Sequence, residues 1–363
     1  MPDSLRDVKV YDVDPNLVDL PGEEVNSVAR NNLSEKIREY AHDILNLPSI
    51  NEISDRSNDI PFLESIFQQI SDFNQNLRNL HSYGGYGAIL ASRINHDVGN
   101  LINPIYQSLH SLMQGKQVFL GILQRVWSAN MKQIHNVLIA NKGLCEGTAN
   151  IDSSNITEVI NQSTKVASKE YTVKEGDFTS PINDKEIIIN VPKDLVCYID
   201  PAIFTLVFDN LIKNSLRVNQ YKKGLKISVK PVSNCLEISI EDNGIGLDYD
   251  SLKEKIAQNI NNVLAHRQDK NPTALESPFI HGQATPYDIT QQLFSFGVSA
   301  SGSTGVGLST VRESIKVHQG SISMGNRIEG GAITKIIIPN TPETNPVLRS
   351  QILTNYRATQ VAA

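Results

Sequence analysis

The stretch Phe208-Asp-Asn210-Leu-Ile-Lys-Asn214-Ser-Leu-Arg217, continued by the apolar runs Leu225 to Val229 and Leu236 to Ile240 and by Glu241-Asp242-Asn243-Gly244-Ile245-Gly246, decides how this chain is read. Asn210 and Asn214 stand four residues apart and Arg217 three further on, so on a helix all three share one face. Amide oxygens are hard ligands suited to Mg²⁺, which binds few protein groups and keeps water and phosphate oxygens. Arginine grips phosphate. The two apolar runs, parted by a polar turn, read as a hairpin. Its second strand ends in Asp242, a carboxylate able to accept from an exocyclic amine such as that of adenine, followed by glycines that let a backbone approach closely. A second glycine cluster, Gly302-Ser303-Thr304-Gly305-Val306-Gly307-Leu308, leads into an amphipathic helix over Leu308 to His318. There free NH groups and the helix dipole favour an anion. Gly331-Ala-Ile-Thr334-Lys-Ile-Ile-Ile338-Pro339 reads as a closing strand.

In that order, these elements resemble the ATP-binding domain shared by sensor histidine kinases, gyrase, MutL and related ATPases, over about Ile156 to Pro339. The resemblance implies an α/β sandwich with a mixed sheet that binds ATP and Mg²⁺. It matches Asn214 to the magnesium ligand, Asn210 to the polar residue one turn before, and Arg217 to the basic residue that contacts phosphate. Asp242 matches the aspartate that reads adenine, Gly244 and Gly246 the first glycine box, and Gly305 and Gly307 the second, with Thr304 just before it. Phe294 and Phe296 look like the aromatic stretch ahead of the second box. Ser303 stands where the kinases often have glycine, and residues 248–301 form an unusually long lid with helices of their own near Leu252 to His266 and Tyr287 to Leu293.

Upstream, Ile94, Val98, Leu101, Ile105, Leu109 and Leu112 recur at helical spacing, and His96 sits about 200° around from Ile94, away from that stripe. Asp97 is adjacent and Asn100 one turn on. A carboxylate beside an imidazole can orient the ring and relieve it of a proton, and an amide can position water for hydrolysis. Asn95-His96-Asp97-Val98-Gly99-Asn100 resembles the phosphoacceptor box of histidine kinases, with Pro104 three residues later than the proline many of them carry. Beyond Gly115, which turns the chain, Leu120, Leu123, Trp127, Met131, Ile134 and Leu138 mark a second amphipathic helix. Such a hairpin has one apolar face that it does not cover by itself. Pairing two hairpins into a four-helix bundle predicts a homodimer through residues 86–141, as the resemblance also implies.

The whole chain of 363 residues therefore reads as an α+β multidomain protein. Residues 1–82 hold an irregular arm to about residue 30 and two helices, the first capped by Asn32 with Glu35 and the second opened by Pro61. Residues 83–142 form the dimerisation and phosphotransfer hairpin, 143–155 a linker, 156–339 the ATP-binding domain, and 340–363 a tail. A net charge of -6 disfavours nucleic acid. No apolar run reaches the roughly 18 residues of a membrane span, and the acidic start is unlike a secretory signal. Cys145, Cys197 and Cys235 lack metal spacing and fit a reducing cytosol. These features predict a cytoplasmic kinase that autophosphorylates His96, with Asp97 and Asn100 in attendance, and passes the phosphoryl group to the receiver domain of a response regulator, with phosphatase action on that regulator as a further expectation. A gyrase-type ATPase and a kinase-like adaptor without catalysis are the alternatives.

Overall fold

The computed structural model describes residues 10–14, 27–80, 86–165, 172–175, 182–183, 185–193, 195–218, 223–266, 276–295 and 307–341. The chain divides into two compact units, Gly22–Thr148 and a discontinuous one made of Met1–Pro21 with Ala149–Ala363.

The chain's first strand, β1 (Val10–Asp12), already belongs to the discontinuous unit. Next come the five helices of the other unit: α1 (Ser27–Leu45), α2 (Ile50–Asp55), α3 (Ile60–Asn79), α4 (Tyr86–Met113) and α5 (Val118–Glu146). The start of α1 lies five residues before Asn32, so the Asn32–Glu35 pair is helix interior and not the expected cap. Asp59 caps α3 by accepting from Phe62 N at 3.1 Å, with Pro61 in the first turn, where no amide donor is needed. Gly115, at φ +78, joins α4 to α5; the left-handed conformation there explains the glycine. Pro104 lies inside α4. Helix α5 runs four residues into the expected linker before Gly147, at φ +66, closes it through Thr148 N donating to Gly143 O at 2.9 Å.

Most of the hairpin stripe is buried within one chain, although Leu120 and Met131, expected in it, are half-buried. Ile94, Val98, Ile102, Ile105, Leu109 and Leu112 on α4, and Leu123, Ile134 and Leu138 on α5, each have 0% exposure. Leu101, expected in the stripe, is half-buried, and Ile102 takes its place. The cover comes from the N-terminal helices. Helix α1 runs antiparallel to α5, its Ser34 Oγ donating to Glu146 Oε1 at 2.6 Å, while Gln124 near the start of α5 reaches Ser54 of α2. Helix α3 lies along α4, where Phe67 stacks on Tyr106 with centroids 4.3 Å apart. Tyr40 and Phe73 close the ring between α1 and α3 edge to face. The four-helix bundle is thus built inside one chain, and an uncovered stripe is no longer a reason to pair two hairpins. Each such buried aliphatic side chain contributes about 1.5–3 kcal/mol.

The second unit continues with β2 (Asp152–Asn155), α6 (Ile156–Thr164), β3 (Thr172–Glu175), β4 (Glu186–Asn190), β5 (Val196–Ile199), α7 (Pro201–Val218), β6 (Leu225–Val232), β7 (Cys235–Asp242), α8 (Tyr249–His266), α9 (Ser277–Ile280), α10 (Pro286–Leu293), α11 (Gly307–Val317), β8 (Ser321–Asn326) and β9 (Ala332–Pro339). A seven-stranded mixed sheet has the order β1-β8-β9-β7-β6-β4-β3, with β3, β4 and β6 parallel, and β2 pairs β5 separately. The β6–β7 hairpin turns at Ser233, φ 55, and keeps strict register from Val232↔Cys235 to Leu225↔Asp242. Ile227, Val229, Leu236, Ile238, Ile336 and Ile338 line one face and pack with Phe204, Phe208 and Val207 of α7 and Val311 and Ile315 of α11. Residues 10–12, read as part of an irregular arm, instead extend the sheet at β8. Among the described residues no helix is long and apolar enough to cross a membrane.

Candidate functional site

Helix α7 starts where Asp200 Oδ1 accepts from Ala202 N and Ile203 N, at 3.0 and 3.1 Å, with Pro201 at the first helical position. Asp200 Oδ2 also accepts from Asn150 N at 2.8 Å, which fixes the helix to the segment entering the unit. From the far side, His318 just beyond α11 accepts from Asp200 N at Nε2, 3.0 Å, and its Nδ1 donates to Ser314 O at 2.7 Å. Its ring meets Phe204 edge-on at 4.8 Å. Burial holds the His318 pKa below the usual histidine range, so the ring is neutral and committed to packing.

These contacts set α7 against α11. Asn210 donates from Nδ2 to Leu206 O at 2.6 Å, one turn back, which turns its Oδ1 toward the start of α11. A Cβ on Gly307 would stand 2.8 Å from that Oδ1 and 3.8 Å from Asn214 Nδ2. The structure therefore brings Asn210, Asn214 and Gly307 together, and any side chain at Gly307 would have to displace the Asn210 amide. Arg217 is exposed near the C-terminal end of α7. Thr304 and Gly305 lie outside the described residues, as do Ser303 and Phe296, while Phe294 is fully buried.

At the end of β7, Asp242 is buried and its Oδ1 accepts from Gly244 N at 2.8 Å and Ala332 N at 3.2 Å. Both bonds end on Oδ1. Gly246, at φ +77, is enclosed by Asn326, whose Oδ1 accepts from Leu247 N and whose Nδ2 donates to Leu247 O. Sequence reading missed the group that shapes this corner. Arg327 donates from Nη1 to Asp242 O and to Asn243 Oδ1, each at 2.9 Å, and pairs through Nε with Glu241 at 3.3 Å. Gly331, at φ +86, lies so close to the Asp242 carbonyl that any Cβ would overlap its oxygen. The signal was present as Asn326-Arg327-Ile-Glu-Gly330-Gly331, a polar turn with paired glycines ahead of β9.

His96, Asp97 and Asn100 belong to the other unit, on α4. The helical register puts position 96 on one stripe with Asn100, Asn103 and Gln107, whose side chains are exposed; Asp97 is half-buried. Among the described residues no three His, Cys, Asp or Glu side chains cluster as a metal site.

Residues 199–342 match the family described as Histidine kinase-, DNA gyrase B-, and HSP90-like ATPase. A histidine kinase, P4, from Formosa agariphila is 24% identical over 242 residues, which is 66% of this chain and 15% of that protein. The sensor protein kinase WalK of Staphylococcus aureus is 29% identical over 150 residues, 40% of this chain and 28% of that one. The match therefore spans less than a third of the length of either relative. Among solved structures, the catalytic domain of histidine kinase ThkA is 19% identical with a TM-score of 0.34, covering 54% of this chain and 99% of that one. Histidine kinase AdeS of Acinetobacter baumannii is 17% identical with a TM-score of 0.34, covering 68% and 98%. Residues 199–342 thus match the histidine kinase, gyrase B and HSP90-like ATPase family, and over part of its length the chain is similar to sensor histidine kinases.

Proposed function

We propose that the chain is a cytoplasmic histidine kinase of a two-component system. The observation that carries this reading is the meeting of the Asn210 and Asn214 amides with the start of α11 at Gly307, in the same unit that presents Asp242 at the end of β7. Asp242 Oδ2, the oxygen not engaged by Gly244 and Ala332, receives the exocyclic amine of adenine. The start of α11, preceded by Thr304 and Gly305, holds the phosphates through its backbone NH groups, and Arg217 adds a cation. Gly244 and Gly246 let the backbone approach the nucleotide. Asn214 would hold Mg²⁺ through its amide oxygen, with Asn210 beside it. The ion supplies neutralisation of charge on the transferring phosphoryl group.

A ring nitrogen of His96 attacks the γ-phosphorus of ATP and ADP departs; Asp97 orients the ring and takes its proton. The phosphoryl group then passes to an aspartate carboxylate on a receiver domain, and Asn100 places water for hydrolysis in the phosphatase direction. The kinase names of the WalK and Formosa relatives favour this reading over an ATPase that forms no phosphohistidine. The homodimer that the resemblance implies uses a face of residues 86–141 other than the stripe that α1 and α3 cover.

The test is incubation of the full chain with γ-labelled ATP and Mg²⁺, beside His96→Gln and Asn214→Ala. Acid-labile, base-stable label on the wild type and on neither variant supports the proposal. Hydrolysis without label would establish the ATPase instead, and absence of nucleotide binding by calorimetry would establish an adaptor.

A further inference from the structure

In sequence the strand β1 is separated from the rest of its sheet by the whole helical unit, yet it packs against β8, α8 and α10. It pairs with β8 in the register Val10↔Gly325, Tyr11↔Met324 and Asp12↔Ser323, and Val13 N continues the ladder to Ile322 O at 2.8 Å. Val13 is 4% exposed, within the core of the unit. The amide of Gln291 on α10 grips this segment twice: its Nε2 donates to Asp12 O at 2.7 Å and its Oε1 accepts from Asp14 N at 2.8 Å. Gln291 is 2% exposed with the strand in place, so a chain without β1 would lose both of these amide bonds. Tyr11 meets Tyr249, the first residue of α8, edge to face at 6.1 Å.

The two helices held in this way border the glycine clusters in sequence. Helix α8 begins three residues after Gly246, and α10 ends at Leu293, ahead of the cluster that leads into α11. We propose that residues 10–14 are a strap that positions α8 and α10 against the sheet edge, and that nucleotide affinity depends on the strap being docked. The nucleotide step rests on the function proposed above; the positioning of the helices does not. Gln291 acts here as a positioning residue through β1 and needs no contact with nucleotide.

The experiment uses the full chain, a chain lacking residues 1–14, and Gln291→Leu, which removes both amide bonds but keeps an apolar side chain of similar length. Amide hydrogen exchange without nucleotide is followed over residues 249–261 and 286–293, with α4 and α5 as internal reference, and Mg²⁺–ATP affinity is measured by calorimetry. In both variants exchange in α8 and α10 is expected to rise about tenfold or more with the reference helices unchanged, and ATP affinity to fall about three- to tenfold. A synthetic peptide of residues 8–16 should reverse both effects in the truncated chain. Unchanged exchange in α8 and α10 overturns the strap, and raised exchange with unchanged affinity overturns its link to nucleotide. If the intact chain binds no nucleotide, the proposed function fails while the exchange data still decide whether the strap exists.

Discussion

Gly330 and Gly331 offer a controlled comparison of what the corner at Asp242 requires. Both have positive φ, +94 and +86, so alanine at either position carries a similar backbone cost of about 1–2 kcal/mol. Their surroundings differ. A Cβ on Gly330 meets nothing within 4 Å, whereas one on Gly331 would overlap the Asp242 carbonyl oxygen and stand 2.7 Å from its carbonyl carbon. Relief demands that the end of β7 move. That oxygen accepts from Arg327 Nη1 at 2.9 Å, and Asp242 Oδ1 accepts from Ala332 N at 3.2 Å, so movement weakens both bonds. Each has one charged partner, and weakening the two costs about 2–4 kcal/mol. Gly331→Ala is expected to destabilise the sheet unit by about 3–6 kcal/mol and Gly330→Ala by about 1–2 kcal/mol, measured by urea unfolding. At temperatures where both are folded, ATP affinity should fall about tenfold or more in Gly331→Ala and change little in Gly330→Ala. Equal stabilities within about 0.5 kcal/mol would refute the argument that close approach to Asp242, and not backbone conformation, selects glycine at this position.

Gly307→Ala forces a methyl to 2.8 Å from Asn210 Oδ1, whose amide is pinned by its bond to Leu206 O, and should weaken ATP binding about five- to tenfold with little change in melting; calorimetry showing unaltered affinity contradicts the close packing of α11 on α7. Leu109→Asp puts a charge at a position with 0% exposure inside a single-chain bundle, at a cost above about 4 kcal/mol. It should unfold the helical unit, whereas a folded monomer by circular dichroism and light scattering would mean that the stripe is an interchain seam. Because burial lowers the His318 pKa in the folded chain, the unfolded chain takes up that proton first as pH falls. Stability is therefore fully present above about pH 6.5 and declines below it, by up to about 1.4 kcal/mol per pH unit, until the folded form also titrates. His318→Gln should flatten that slope in urea unfolding at pH 7.5, 6.5 and 5.5; parallel curves would assign the loss to other groups.

The elements legible in the sequence are those whose signal is local. The β6–β7 hairpin, α7 and α11 each show their own periodicity and end in residues with fixed conformational roles, so Asn210, Asn214, Asp242 and Gly307 could be placed on their elements before any packing was known. Periodicity also disclosed the apolar stripe of α4 and α5, but not what covers it. Either a second hairpin or the N-terminal helices satisfies the same pattern, and the structure uses α1 and α3, whose covalent attachment raises their effective concentration over any second chain. The role of Arg327 and Gly331 was hidden for a related reason, since a loop some 85 residues away supplies the contact that shapes the turn after Asp242. Strand β1 is the extreme case. Three residues carry too short a pattern to announce a strand, and their partners on β8 and α10 lie more than 270 positions onward. Sequence by itself determined the local elements and the chemistry they can carry, because periodicity and turn residues act over a few positions; which edge, face or carbonyl each one meets was decided only in the folded chain, where long-range pairing and close packing select the partner.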